Sequence, residues 1–289
     1  MSLSAIYFYR SSACLRLDEH PPQLHSDQFE KPVPLGSAIN TAGGEDSAFI
    51  MPDGKTLYFW FTPDVTVPPE QQIIDGVTGI YVSHKRGDEW SVAQRVILQD
   101  KDDIALDGSP FVQDDVMWFC SARKGNYRGG DIWTAKFQDG QWTNWKNTGK
   151  RLNVDYDIGE MHITADGKEM YFHFAMAGGK GQNDIWVTRQ ANGKWQEPEN
   201  VEAVNTPDNE GFPFITQDGN ELWFTRTYRG TPAIFVSKKI EGKWSEAELI
   251  VSWFAAEPSL DNDGNLHFTH HYFKDGKMLE ADIHVAYRK

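Results

Sequence analysis

The stretch N-D-I-W-V-T-R-Q-A-N-G-K-W-Q-E-P, residues 183–198, alternates Ile185 and Val187 with Trp186 and Thr188, turns at Asn192-Gly193 and resumes at Trp195. Alternation with period two marks a strand, and Asn-Gly tolerates the positive φ of a two-residue hairpin. The pattern appears again as G-I-Y-V-S-H-K-R-G-D-E-W-S (79–91), D-I-W-T-A-K-F-Q-D-G-Q-W-T (131–143) and A-I-F-V-S-K-K-I-E-G-K-W-S (233–245). Its first half, D-I-H-V-A-Y-R-K, closes the sequence at 282–289. The central residues Ile80, Ile132, Ile185, Ile234 and Ile283 recur about every 50 residues, the signature of an array of equivalent units.

Each unit supplies two further strands upstream. The first ends at an Asp-Gly turn, as in F-I-M-P-D-G-K (49–55), H-I-T-A-D-G-K (162–168) and F-I-T-Q-D-G-N (214–220). The second is apolar and aromatic: L-Y-F-W-F (57–61), M-W-F-C (117–120), M-Y-F-H-F (170–174), L-W-F-T (222–225) and L-H-F-T-H (266–270). The fourth strand begins at Trp90, Trp142, Trp195 or Trp244, and the last unit lacks one. F-E-K-P-V-P-L-G (29–36) stands before the first unit, with Phe29 in the tryptophan position. The expected fold is an all-β, five-bladed β-propeller with four antiparallel strands per blade, the fifth blade closed by residues 29–36. Residues 1–26 are expected to form an irregular extension, and residues 27–289 a single propeller domain. The recurring Phe and Trp residues are expected to pack between blades.

The 289 residues carry 28 Lys and Arg against 42 Asp and Glu, a formal charge of −14, which would repel nucleic-acid phosphates and anionic membranes. Nucleic acid and membrane insertion are therefore not expected, and no apolar run is long enough to cross a bilayer as a helix. The two cysteines, Cys14 and Cys120, define neither a disulfide framework nor a zinc pattern, and Cys120 lies in an apolar strand. The N-terminus lacks a basic leader and a clear cleavage site, so no signal peptide is evident. A monomer is expected.

N-T-P-D-N-E-G-F-P-F-I-T-Q-D-G-N-E-L-W-F (205–224) and L-N-V-D-Y-D-I-G-E-M-H-I-T-A-D-G-K-E-M-Y-F (152–172) resemble the repeat of TolB-like, WD40-like periplasmic propellers. The resemblance covers nearly everything after Phe29. It implies a bacterial protein, periplasmic or extracellular, on a fold that serves protein binding, sugar binding and catalysis alike.

In a propeller the connections after second and fourth strands share one face, and here they are long and varied, the usual place for a site on a rigid scaffold. The starts of the first strands reach the same face beside the axis. Glu45, Asp107 and Glu210 stand eight residues before the turn aspartates, and Glu160 and Glu257 stand six before. Eight and six share parity, so one carboxylate per blade is expected to converge on the axis, with Asp46 able to replace Glu45. Such a cluster needs cations, protons, water or a polar ligand. Arg123, Arg226 and His270 stand on the loops above and are expected to contact a polar small molecule, a glycan or a protein. The structural alternative is that the acids accept hydrogen bonds from nearby loop amides and pair with these arginines.

L-D-G-S-P-F (106–111) and A-E-P-S-L (256–260) are also similar to motifs of five-bladed arabinanase-type glycoside hydrolases. That resemblance implies Asp46 as base or nucleophile, Asp107 as the residue tuning a pKa, and Glu160 as the acid. The sequence departs from the motifs at Asp46-Ser47, where the family has Asp-Pro, and at Glu160-Met161-His162, where it has Gly-Pro after the acid. Glu160, His162 and His173 form a candidate transition-metal set, and a divalent cation such as calcium is the alternative among the axial acids.

Overall fold

A computed structural model describes residues 19–156 and 158–289. The segment 1–18, with Cys14 and the apolar Tyr7-Phe8-Tyr9, lies outside the described residues. The fold is all-β, and its described helical turns are Pro69–Gln72 and a π-turn at Arg151–Asp155.

Strands of alternating pattern pair with their sequence neighbours as antiparallel runs. The first run is Gly44–Ile50, Thr56–Thr62 and Gly79–Arg86. Then come Ala105–Gln113 to Asp131–Gln138, Met161–Ile163 to Asp184–Ala191, Glu210–Ile215 to Thr231–Ile240, and Ala255–Leu260 to Lys277–Ala286. A parallel bridge from Ala281 to Gly44 joins the last run to the first, and among the described residues no sheet closes on itself. The Asp-Gly turns form for a local reason. Gly54, Gly167 and Gly219 take φ of 66°, 72° and 70°, while Asp53, Asp166 and Asp218 each accept the backbone N–H two residues on.

The outer strand is continuous only at Gln141–Asn147. Elsewhere it is split. Glu89–Trp90 and Gln94–Arg95 both pair with Gly79–Arg86, and Lys194–Trp195 and Glu199–Asn200 both pair with Asp184–Ala191. Pro198 accounts for the second break, since proline has no N–H to give the ladder.

Two of the tryptophans at the start of outer strands pack on the run before. Trp142 meets Tyr58 edge-on at 6.3 Å, and Trp244 meets Tyr171 at 6.1 Å. Phe29 meets Trp223 in the same way at 6.0 Å. The bridge Phe29↔Arg288 repeats Trp90↔Lys85, Trp195↔Gln190 and Trp244↔Lys239. Val33–Pro34 then pairs with His284 and Val285 of the last run. Asn40 adds a third correspondence. Its amide oxygen accepts Ile283 N–H at 3.0 Å, as Asn153 accepts Ile132 N–H and Asn205 accepts Ile185 N–H.

Within the stretch expected to be irregular, Gln23–Leu24 pairs with Val251 and Ser252 of the fourth run. Residues 23–34 thus run from the edge of one sheet to the edge of the next.

Candidate functional site

The inner strands position the site, and a bulge in them decides which side chains reach the axis. Ser47, Ser109, Phe212 and Glu257 have φ of 50°, 51°, 52° and 58°, and the register with the second strand slips at each. A bulge inserts an extra residue and re-aims its neighbours. Glu160 holds the corresponding place, just before Met161–Ile163. Two residues further on stand Phe49, Phe111, His162, Phe214 and Ser259. These ten residues surround an axial cavity of about 50 Å³, with Glu160, Glu257 and Ser47 at one level and the aromatic collar at the next.

The convergence of five acids expected from parity does not occur, because the bulge breaks the alternation on which the count relied. Glu45 is fully buried and accepts Thr41 N–H at 3.0 Å and Thr41 Oγ1–H at 2.7 Å. Glu210 accepts the Thr206 N–H at 3.0 Å and its hydroxyl at 2.5 Å, and pairs with Arg226 at 2.8 Å. Asp107 pairs with Arg123. The arginines are clamped in turn. Arg123 donates to Leu98 O and lies 4.9 Å from the Trp133 ring; Arg226 donates to Val204 O and lies 4.5 Å from the Phe235 ring. His270 is fully buried against Tyr272 and His284. Glu45, Asp107, Glu210, Arg123, Arg226 and His270 are thus engaged with one another and with the surrounding loops.

Asp46, Glu160 and Glu257 do come together. Ser47 N–H donates to Glu257 Oε2 at 2.7 Å and to Asp46 Oδ1 at 3.0 Å. Glu160 Oε1 accepts Ser109 Oγ–H at 2.8 Å and Ser47 Oγ–H at 3.2 Å, and Thr269 Oγ1–H donates to Glu257 at 3.1 Å. His271 Nε2 lies 3.6 Å from Asp46 Oδ1. Parity did not single out His271, the basic side chain nearest Asp46.

The three carboxyls hold their protons differently. Burial raises Glu257 well above the usual carboxylate range, and the negative charge of Asp46 adds to it. Burial also pushes Asp46 upward, but hydrogen bonds from the Glu257 carboxyl and from His271 outweigh it and hold Asp46 low. Burial takes Glu160 up to about 7, against the pull of Ser109 and with the help of Asp46. Burial opposes charge on His271, yet Asp46 raises it. The mouth therefore sets Asp46, which gives up its proton readily, beside Glu257 and Glu160, which burial makes hold theirs more tightly.

The metal candidates do not assemble. His162 is packed between Phe111 and Phe214 with ring centroids at 4.5 and 4.4 Å, and its Nδ1 accepts Ile215 N–H. His173 Nδ1 accepts Phe212 N–H at 3.2 Å. Burial holds both rings neutral, near 3 and 4. Among the described residues no group of three His, Cys, Asp or Glu side chains is placed to hold a metal ion. Burial likewise pushes the Cys120 thiol up to about 12, which leaves it unreactive.

No protein-family model matches the sequence, and no curated protein matches it. Solved structures do. The endo-arabinase of Bacteroides thetaiotaomicron aligns at TM-score 0.54 and 15% identity, over 89% of this chain and 96% of that one. The catalytic domain of a Coprinopsis cinerea α-L-arabinofuranosidase aligns at 0.52 and 10%, over 85% and 91%. The fold is of the β-propeller type. TolB from Acinetobacter baumannii aligns at 0.49 and 13% over 87% of this chain, which spans 56% of that structure. At these identities the likeness speaks to the fold alone.

Proposed function

We propose that residues 27–289 form one five-bladed ring, closed by residues 29–36, that binds a polar ligand, a carbohydrate or peptide, at its loop-rich mouth. The equivalence of Phe29 with Trp90, Trp195 and Trp244 supports the closure, as does that of Asn40 with Asn153 and Asn205. One observation carries the binding reading. The mouth gathers three carboxyls, Asp46, Glu160 and Glu257, together with the hydroxyls of Ser47, Ser109 and Thr269. Hydroxyl-rich and amide-rich ligands need donors and acceptors side by side. The cavity beneath is about 50 Å³, far below the roughly 300–1,000 Å³ of small-molecule sites, so the ligand rests on the mouth rather than inside the cavity. Titration of the protein with neutral oligosaccharides and with lysine- and arginine-containing peptides tests this. Binding by one class, weakened at least about tenfold in Asp46→Asn with the fold intact, is expected. No binding by either class refutes it.

A second reading, glycoside hydrolysis, is favoured by the split between a lowered Asp46 and a raised Glu160. Environments that push two carboxyl pKa values apart assign a base and an acid. Asp107 is committed to Arg123, so Glu257 would take the tuning role in its place. Release of reducing sugar from an arabinan or xylan, abolished by Glu160→Gln, would establish this reading over simple binding.

A further inference from the structure

The loop-rich face carries a second concavity that shares no residue with the axial wall. It opens between the first two runs, under the long connection that contains the Pro69–Gln72 turn, and encloses about 610 Å³. That lies within the roughly 300–1,000 Å³ of small-molecule sites. Trp133 and Trp145 line it, with Ile104, Asp102, Asp103 and Lys124 around them.

Trp133 is fixed before any ligand arrives. Its indole N–H donates to Asn126 Oδ1 at 2.9 Å, and the Arg123 guanidinium lies against the ring at 4.9 Å. Arg123 is itself held by Asp107, Ser121 and Leu98, so the aromatic wall rests on a buried clamp. Gly125 takes a φ of 96°, which favours glycine, and its backbone passes the edge of the Trp133 ring. A wall ordered in advance costs a ligand little entropy on binding. Opposite it, Ile104 is 59% exposed, and Asp102 and Asp103 are exposed acceptors with no ion pair to either among the described residues.

We infer that this cleft is a carbohydrate-binding site separate from the axial mouth. A flat aromatic wall suits the C–H face of a pyranose or furanose ring, and the two aspartates accept from its hydroxyl edge while Lys124 donates to ring and hydroxyl oxygens. The net acidity of the chain disfavours phosphorylated or uronic ligands, so the sugar is a neutral one.

Calorimetric titration at neutral pH with cellotriose, xylotriose and arabinotriose, each taken to about 10 mM, tests this, since a weak site has a Kd near 1 mM. The wild-type protein should bind at least one of them. Trp145→Ala and the surface double variant Asp102→Asn/Asp103→Asn should each lose roughly tenfold or more. Absence of binding by all three sugars overturns the inference. So does unchanged affinity in the double variant, which leaves the packing untouched even where Trp145→Ala does not fold. Binding lost in Glu160→Gln but kept in the double variant would place the sugar at the axial mouth and overturn it as well.

Discussion

Replacing Glu160 with glutamine should make the protein more stable, and only above mildly acidic pH. Burial lifts this carboxyl from 4.5 to about 7 in the folded chain. At about 1.4 kcal/mol per unit that is about 3 kcal/mol against the charged form, reduced to about 2–3 kcal/mol by its contact with the axial cavity. The sign follows from proton counting. Between pH 4.5 and about 7 the folded state holds a proton on Glu160 that the unfolded state has released. Wild-type stability therefore falls as pH rises through that window and levels off above it. Glutamine can still accept from Ser109 and Ser47 but does not titrate. Urea unfolding of both proteins, followed by tryptophan fluorescence at about pH 4.5, 6 and 8, gives the difference directly. The variant should gain about 2–3 kcal/mol on the wild type between the lowest and highest pH. Parallel stability curves would refute the account of Glu160 as a carboxyl held against its preference, and with it the donor role given to that side chain.

Arg226→Ala should cost about 3–5 kcal/mol in urea unfolding, because it strands the buried Glu210 carboxylate, and Glu210→Gln/Arg226→Met should recover most of that loss. A cost below about 1 kcal/mol would return Arg226 to the list of ligand contacts. Phe29→Ala should cost about 3–5 kcal/mol, since the side chain is 1% exposed and packs on Trp223. Hydrogen exchange should quicken in that variant at Leu35 and Glu30, whose N–H groups bond to Ile283 and Tyr287; protection unchanged there would contradict the pairing role of Phe29.

The sequence made the strand order, the Asp-Gly turns and the place of Phe29 readable because each rests on local chemistry repeated about every 50 residues. The site was readable only in part. Counting by parity joined Glu45, Asp107 and Glu210 to Glu160 and Glu257, whereas the bulge sends the first three into the rim. The signal was present: Pro110, Pro213 and Pro258 stand inside inner strands, where proline is tolerated at bulges. The clamps Asp107–Arg123 and Glu210–Arg226 carry a matching cue, since each arginine follows its acid by 16 residues. Asn40, Asn153 and Asn205 gave another, an amide that completes the third strand of the preceding run. His271 had no such cue, since its neighbour Asp46 is far away in the sequence and only the fold unites them.

The path of residues 23–34 across two sheet edges bears on how the molecule is made. Asn40 bonds to Ile283, 243 positions later, so the earliest of these segments to leave a ribosome finds its partners among the last. At about 5–20 residues per second, that interval is roughly 12–50 s. Throughout it the nascent polypeptide holds an unpaired, partly apolar leading segment while the sheets in between condense. Pairing residues 23–40 with residues 251–288 is a slow, non-local step, and it is the point at which a chaperone, or a second molecule trading the same segment, would compete with correct pairing.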